Sequence, residues 1–136
     1  MNSYGSVHAL KQYQHVGVEA QVSEASPHRL VQLLLDGALV RIAAARGAME
    51  AGEVMRKGEL IGRVIDIVEG LRISLDRERG GDIAANLEEL YRYLCRRLLE
   101  ANLRNDATIM DEVAALLREL CAGWQAIGPL VTQHDR

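Results

Sequence analysis

The residues that could carry chemistry are few, and their spacing matches neither a phosphate-binding loop nor the metal-binding motifs of di-iron bundles and zinc proteins. Gly80 and Gly81 follow a charged run, as in some phosphate-binding loops, but the chain has no GxxxxGK[ST] sequence. No glutamate has a histidine three residues later, which excludes the Glu-x-x-His pairs of di-iron helical bundles. HExxH and CxxC are also missing. We therefore expect no enzyme activity, no cofactor and no bound metal.

The histidines and cysteines fit structural positions better than a reactive site. The four histidines lie near the two ends of the chain, at His8, His15, His28 and His134. Cys95 and Cys121 fall within apolar helical patterns, where reduced and buried thiols are expected. Because nothing requires an oxidising compartment, a cytosolic location is the simplest prediction.

Composition predicts a single helical domain. The chain has 136 residues, of which 49% are apolar and only 4% aromatic, with two prolines and no phenylalanine. A core built from Leu, Ile, Val, Ala and Met favours helices. A net charge of −3 argues against binding to nucleic acid. No signal-peptide pattern opens the sequence, and no apolar run is long enough to predict a membrane span.

Apolar spacing and capping residues predict four long helices after residue 25. Ser26 and Pro27 suit the start of the first helix, which ends near Gly52. We predict a second helix over 54–77 that ends at the Gly80–Gly81 turn. A third helix then begins after Asp82, and Asn105–Asp106 forms the next turn. Gly128 and Pro129 are predicted to end the fourth helix.

Short connections between long helices predict an all-α fold, an antiparallel up-down four-helix bundle. We predict that the chain divides into a flexible N-terminal arm over 1–25, the bundle over 26–128 and a tail over 129–136. Val7, Leu10 and Tyr13 are spaced so that a helical turn in the arm would place them on one face. This arm is a candidate cover for apolar surface, and a frayed terminus is the alternative.

The predicted helices carry more apolar residues than their core stripes need. The core stripe of the first helix is predicted to include Val31, Leu35 and Ile42, and that of the third helix to include Ile83. Further apolar positions fall outside the main stripes on the first three helices: Leu33, Val40, Ala44, Ile73, Tyr91, Cys95 and Leu99. A wide core with scattered exposed residues would explain them, and so would grooves for a partner helix.

Three segments resemble the FliS family of flagellar export chaperones. They are ASPHRLVQLLLDGAL over 25–39, LDRERGGDIAANLEELYRYLCRRLLEANLRND over 75–106 and EVAALLREL over 112–120. Their order is that of the family, and the resemblance extends over about the whole chain. Leu35 stands where the family often has an aromatic residue before the DG pair, so the resemblance implies no aromatic contact there.

The resemblance implies a cytosolic chaperone that binds the C-terminal region of flagellin. Such a protein prevents premature polymerisation of flagellin and assists its delivery to the flagellar type III export apparatus, whose components are further candidate partners. It also implies that the arm covers part of the binding surface, with Tyr13 at the position of the family's N-terminal tyrosine. The alternative hypothesis is a helical adaptor that forms homodimers through its apolar face and has no chaperone role.

Overall fold

Within the part of the chain that the structure describes, four antiparallel helices form a bundle, which confirms the predicted fold class. The computed structural model describes residues 26–134. The helices are α1 (Pro27–Glu50), α2 (Val54–Ile73), α3 (Arg77–Arg104) and α4 (Ala107–His134). Each helix packs against two neighbours, so that α1 contacts α2 and α4, and α3 contacts α2 and α4. The predicted arm lies outside the described residues.

The start of α1 agrees with the sequence prediction. The Ser26 hydroxyl accepts a hydrogen bond from the Arg29 backbone N–H at 3.1 Å, as an N-cap residue does. Pro27 occupies the first helical position, where its missing N–H leaves no intrahelical bond unmade. The helix ends at Glu50, and Gly52 adopts a φ of 73° in the turn to α2.

The junction between α2 and α3 differs from the prediction. The second helix ends at Ile73 rather than residue 77, and Ser74 caps it with a hydroxyl that donates to the Leu71 carbonyl at 2.8 Å. Asp76, not Asp82, caps α3, because its carboxylate accepts from the Arg79 backbone N–H at 3.2 Å. This earlier cap starts α3 before the double glycine. In place of the predicted turn, the backbone of Gly81 forms a break within α3, with a φ of 52° and a ψ of −127°.

Replacement of Gly81 by alanine is expected to destabilise the protein by about 1–3 kcal/mol, because an L residue is strained at this φ and ψ. An added Cβ would meet no atom within 4 Å, so the effect comes from the backbone alone. Gly62→Ala is the matched control. It also adds a Cβ into open space, but within regular helix, and should stabilise by about 0.5–1 kcal/mol. Urea denaturation measures both, and equal signs would contradict this account.

The turn between α3 and α4 lies at Asn105 and Asp106, as the sequence predicted. Asn105 adopts the left-handed conformation with φ 53°, and the Asp106 carboxylate accepts from the Thr108 N–H at 2.9 Å. Lys57 from α2 is buried beneath this turn. Its ammonium donates to the Asn102 carbonyl at 3.1 Å and to Asn105 Oδ1 at 2.9 Å. These bonds place the start of α2 level with the end of α3.

The fourth helix runs past its predicted stop. Backbone helix continues through Gly128 and Pro129 to His134. A proline inside a helix removes one backbone hydrogen bond and favours a kink, but it does not oblige the chain to leave the helix. The predicted end of helix four was therefore wrong, while the division of the chain into arm, bundle and tail stays a prediction.

The core lies where the four helices converge, and specific side chains fix the register of α1 against α4. Arg46 makes an ion pair with Asp111 at 2.9 Å. Near the other end, His28 Nε2 lies 3.0 Å from the Trp124 carbonyl, the Trp124 indole N–H donates to the His28 carbonyl at 2.9 Å, and the two rings stack. His28 is thus a packing residue. The most deeply buried large side chains are Leu30, Leu35, Ile61, Leu71, Leu94, Leu98, Met110 and Leu117.

Candidate functional site

The outer flank of α1 leaves apolar surface open, as the second stripe predicted. Val40 is 69% exposed, and Ala44, one turn further along the same flank, is half-buried. At 100° per residue both lie well away from the core-facing residues Ala38 and Ile42. The small residue Gly47 continues this face, and a Cβ added there would meet no atom within 4 Å. The flank is therefore smooth and accessible around Val40.

Leu33 does not share that exposure, although the same stripe predicted it. It is only 9% exposed and belongs to the hydrophobic core cluster. The neighbouring Gln32, Leu34 and Leu35 are buried as well, so the first turns of α1 are enclosed on more than one side. By contrast, Val31, which the prediction placed in the core stripe, is only partly buried against the core. Helical spacing cannot separate a core face from an outer face where a helix is buried nearly all round.

The predicted residues of α3 divide between core and surface. Tyr91 is buried in the core cluster, so it is not part of an open groove. Cys95 is half-buried, and its thiol donates a weak hydrogen bond to Glu69 Oε2 at 3.6 Å. Leu99 is 54% exposed. The three residues thus lead from the core outward along the flank of α3 that faces α2.

The environment of Cys95 holds it in its neutral form. Burial, together with the adjacent Glu69 carboxylate, raises the pKa of the Cys95 thiol to about 12. Because the thiolate is the nucleophile and the metal ligand, a thiol with this pKa is inert at neutral pH. Both Cys95 and Cys121 are free thiols, as the sequence predicted. Within the described part of the chain, no three side chains of His, Cys, Asp or Glu are grouped so as to hold a metal ion.

Ile73, the last residue of α2, is exposed as the prediction required. The structure also exposes four large apolar residues that sequence reasoning missed: Val54, Met55, Ile83 and Leu103. Ile83 was assigned to the core stripe of the third helix, and that assignment was wrong. The helical spacing of Ile83 points it toward the core. However, it lies two residues after the Gly81 break, where no neighbouring helix buries it.

Charged residues surround these apolar positions as ion-pair networks rather than as a single-sign patch. Glu88 contacts Arg72, Arg77 and Arg92, which hold the pKa of its carboxyl below the usual range, chiefly through the Arg92 hydrogen bond. Arg97 pairs with Glu112 at 2.8 Å and with Glu100 at 2.8 Å. Arg97 therefore belongs to a surface of mixed charge.

The burial of Tyr91 predicts a loss of stability at alkaline pH. Desolvation raises the pKa of Tyr91 to about 12 in the folded protein, against 10.0 for an ordinary tyrosine. The folded state therefore holds this proton more tightly, and stability falls as pH rises from about 10 to about 12. Phenylalanine has no such proton, so the Tyr91→Phe protein should lose less stability than the original over this pH window, by up to about 3 kcal/mol. Urea denaturation at successive pH values measures the difference, and parallel curves for the two proteins would contradict it.

A helical bundle that leaves large apolar side chains in water on more than one flank is typical of protein-binding modules. Among the described residues no helix is long and apolar enough to cross a membrane. The profile of the family described as "Flagellar protein FliS" matches residues 9–131. The chain belongs to the FliS family.

Three relatives illustrate the extent of the similarity. The flagellar secretion chaperone FliSB of Pseudomonas aeruginosa is 57% identical over 119 residues, which cover 88% of this chain and 94% of the relative. The flagellar secretion chaperone FliS of Salmonella typhimurium is 48% identical over 121 residues, covering 88% and 90%. FliS of Bacillus subtilis is 30% identical over 104 residues, covering 76% and 77%. The similarity thus extends over most of each protein.

Proposed function

We propose that this protein is a flagellar export chaperone that binds the C-terminal segment of flagellin in the cytosol. It prevents premature polymerisation of flagellin and assists delivery to the flagellar type III export apparatus. Membership of the FliS family and the names of the relatives support the role in flagellar secretion. The identity of the cargo segment rests on the sequence resemblance together with the exposed apolar surface.

The observation that carries this proposal is the exposure of large apolar residues on separate flanks of a bundle with an intact core. Val40 lies on the outer flank of α1, whereas Leu99 lies on α3, which is diagonal to α1 in the bundle. No single straight helix covers both positions. A long segment that wraps around the bundle does cover both, and it buries a large area while it becomes ordered.

The predicted groove residues that reach the surface are the ones proposed to contact the cargo directly. Five of them reach the surface and form the proposed binding surface: Val40, Ala44, Ile73, Cys95 and Leu99. Leu33 and Tyr91 support this surface from the core and contact the cargo only if the bundle opens. Val7, Leu10 and Tyr13 lie outside the described residues, and their action as a displaceable cover stays a prediction.

Binding of this kind needs no chemical step in the chaperone. Flagellin termini that are unfolded before assembly expose apolar faces, and a chaperone that buries these faces removes the surface through which subunits associate. The free energy comes from apolar burial, offset by the entropy lost when the segment becomes ordered. Release then requires only a competing interaction at the export apparatus.

Co-purification from a flagellated cell tests the proposal. The tagged protein should retain full-length flagellin, whereas flagellin that lacks its C-terminal region should not be retained. A tagged Val40→Asp/Leu99→Asp protein, with its helix content checked by circular dichroism, serves as the matched control and should retain much less. Equal retention of the full-length and truncated flagellins would exclude the C-terminal segment as the binding site.

A further inference from the structure

Gln32 is a polar residue buried in the first turns of α1, and one of its hydrogen-bonding atoms has no partner. The residue is only 3% exposed. Its side-chain amide nitrogen, Nε2, donates to Asp36 Oδ1 at 3.1 Å. The amide oxygen, Oε1, is buried and accepts no hydrogen bond from any described residue. A buried polar atom without a partner is unfavourable, so stability alone would favour an apolar residue at this position.

Asp36, which accepts the hydrogen bond from Gln32, is held by a second buried group. The Cys121 thiol of α4 lies 3.8 Å from the same carboxylate oxygen, Oδ1, and donates a weak hydrogen bond to it. Burial, together with the adjacent Asp36 carboxylate, raises the pKa of the Cys121 thiol, so the thiol keeps the proton that it donates. Because both bonds fall on Oδ1, the bundle fixes the orientation of this carboxylate.

The other carboxylate oxygen of Asp36 has no such partner. Asp36 is exposed, its Oδ2 receives no hydrogen bond from a described residue, and it makes no ion pair within the described part of the chain. At 100° per residue, Asp36 lies one turn before the exposed Val40 on the outer flank of α1. An oriented carboxylate without a counter-charge therefore borders the apolar surface proposed to bind flagellin.

We propose that Asp36 binds a lysine or arginine side chain of the flagellin segment, and that Gln32 positions Asp36 for this contact. The proposal rests on the proposed function and adds a chemical requirement to it, a basic residue beside the apolar part of the cargo that covers Val40. A cation is the complementary partner because it forms a charge-assisted hydrogen bond, which is about twice as strong as a neutral one. The cargo's apolar side chains exclude water around the pair and strengthen it further.

This contact supplies a selectivity that apolar surface alone lacks. Apolar burial is non-directional, so a smooth flank around Val40 accepts many apolar segments in many registers. A fixed charge at Asp36 favours the register that places a basic residue beside it, and it disfavours a segment with an acid there. The buried oxygen of Gln32 then has a physical reason, because the same amide that lowers stability orients a binding residue.

Asp36→Asn tests the contact with little change in shape. The asparagine oxygen still accepts from Gln32, which leaves the NH₂ group, a donor, where the cation needs an acceptor. Fluorescence anisotropy should show about tenfold weaker binding of the C-terminal segment of flagellin, with an affinity that falls less steeply as salt is added. Asp82→Asn makes the same change at an exposed carboxylate of α3 outside the proposed surface. With this matched control, affinity should stay within about twofold of the original.

Gln32→Met separates a positioning role from a packing role. Methionine has a similar length and no amide, so it removes both the bond to Asp36 and the oxygen that lacks a partner. The midpoint of urea denaturation should be equal to or higher than that of the original protein, whereas flagellin binding should weaken about three- to fivefold. Because Gln32 acts through Asp36, the double variant Gln32→Met/Asp36→Asn should bind no more weakly than Asp36→Asn alone.

Replacing each lysine and arginine of the flagellin segment by glutamine, one at a time, identifies the basic partner. One of these replacements should weaken binding to the original chaperone about tenfold. The same replacement should weaken binding to the Asp36→Asn chaperone by less than about twofold, because the interaction is already lost.

Two results would overturn the contact and leave the proposed function in place. Asp36→Asn could bind the flagellin segment as tightly as the original protein, or no basic residue of flagellin could show coupling to Asp36. An unchanged affinity of Gln32→Met would overturn the positioning role of Gln32. If the original protein does not bind the flagellin segment at all, the proposed function and the contact fail together.

Discussion

Leu33→Asp is expected to lower the free energy of unfolding by about 4 kcal/mol or more, enough to unfold a protein of ordinary stability. Leu33 is only 9% exposed and packs within the core cluster. The substitution removes the apolar contacts of a leucine and puts a carboxylate into a site that is largely closed to water. Urea denaturation followed by the fluorescence of Trp124, the single tryptophan, measures the loss.

Val40→Asp is the matched control for this prediction. It introduces the same side chain on the same helix, two turns further along the same flank. Because Val40 is 69% exposed, the free energy of unfolding should change by no more than about 0.5 kcal/mol. A Leu33→Asp protein as stable as Val40→Asp would show that Leu33 lies at the surface, as the sequence stripe predicted.

The double variant Val40→Asp/Leu99→Asp is expected to bind the C-terminal segment of flagellin about a hundredfold more weakly, with its fold intact. Each substitution places a charge where an apolar contact is proposed, and a central apolar contact contributes about 1–2 kcal/mol to binding. The two positions lie on different helices, α1 and α3, so their effects should add. Fluorescence anisotropy of a labelled flagellin peptide measures the affinity.

Ile83→Asp is the control for the binding experiment. Ile83 is an exposed apolar residue on α3, but it does not belong to the proposed binding surface. Its replacement introduces the same charge as either single substitution of the double variant and removes a similar side chain, so affinity should remain within about twofold of the original. If Ile83→Asp weakens binding as strongly as the double variant, net charge would explain the loss, and the proposed surface would be wrong.

Local signals in the sequence predicted the elements and their order well. Ser26 and Pro27 mark the start of α1 correctly, and Asn105 and Asp106 mark the turn into α4, because capping acts within a few residues along the chain. Short connections between long helices then leave few arrangements other than an antiparallel bundle. Fold class therefore followed from local chemistry and connection length.

Competing local signals explain the errors in helix bounds. Asp76 and Asp82 are both acceptable caps, and the sequence gives no reason to prefer the earlier one, which α3 uses. The double glycine was a clear break signal, but its effect is a distortion at Gly81 inside the helix. At the other end, Pro129 favours a stop without enforcing it. Where two signals lie within a turn of each other, spacing alone does not choose between them.

The candidate surface was only partly predictable from the sequence. Helical periodicity indicates which way a side chain points, but it does not indicate how much of that side chain the neighbouring helices bury. Val40 and Leu99 were predicted to be exposed and are. Leu33 and Tyr91 fell on the same stripes but are buried, whereas Ile83 fell on a core stripe but is exposed. Whether a residue is covered depends on how far the neighbouring helices extend, which is a property of the assembled bundle. Helical spacing cannot supply that information.

Isothermal titration calorimetry of the unaltered protein with the isolated C-terminal segment of flagellin, at several temperatures, tests the central claim most directly. We expect one segment to bind per chaperone at micromolar concentrations or below. We also expect a binding enthalpy that becomes more negative as temperature rises, because apolar burial gives a negative heat-capacity change. Absence of heat and of complex formation at micromolar concentrations, with the chaperone folded and the segment soluble, would contradict the claim that these exposed apolar flanks bind flagellin.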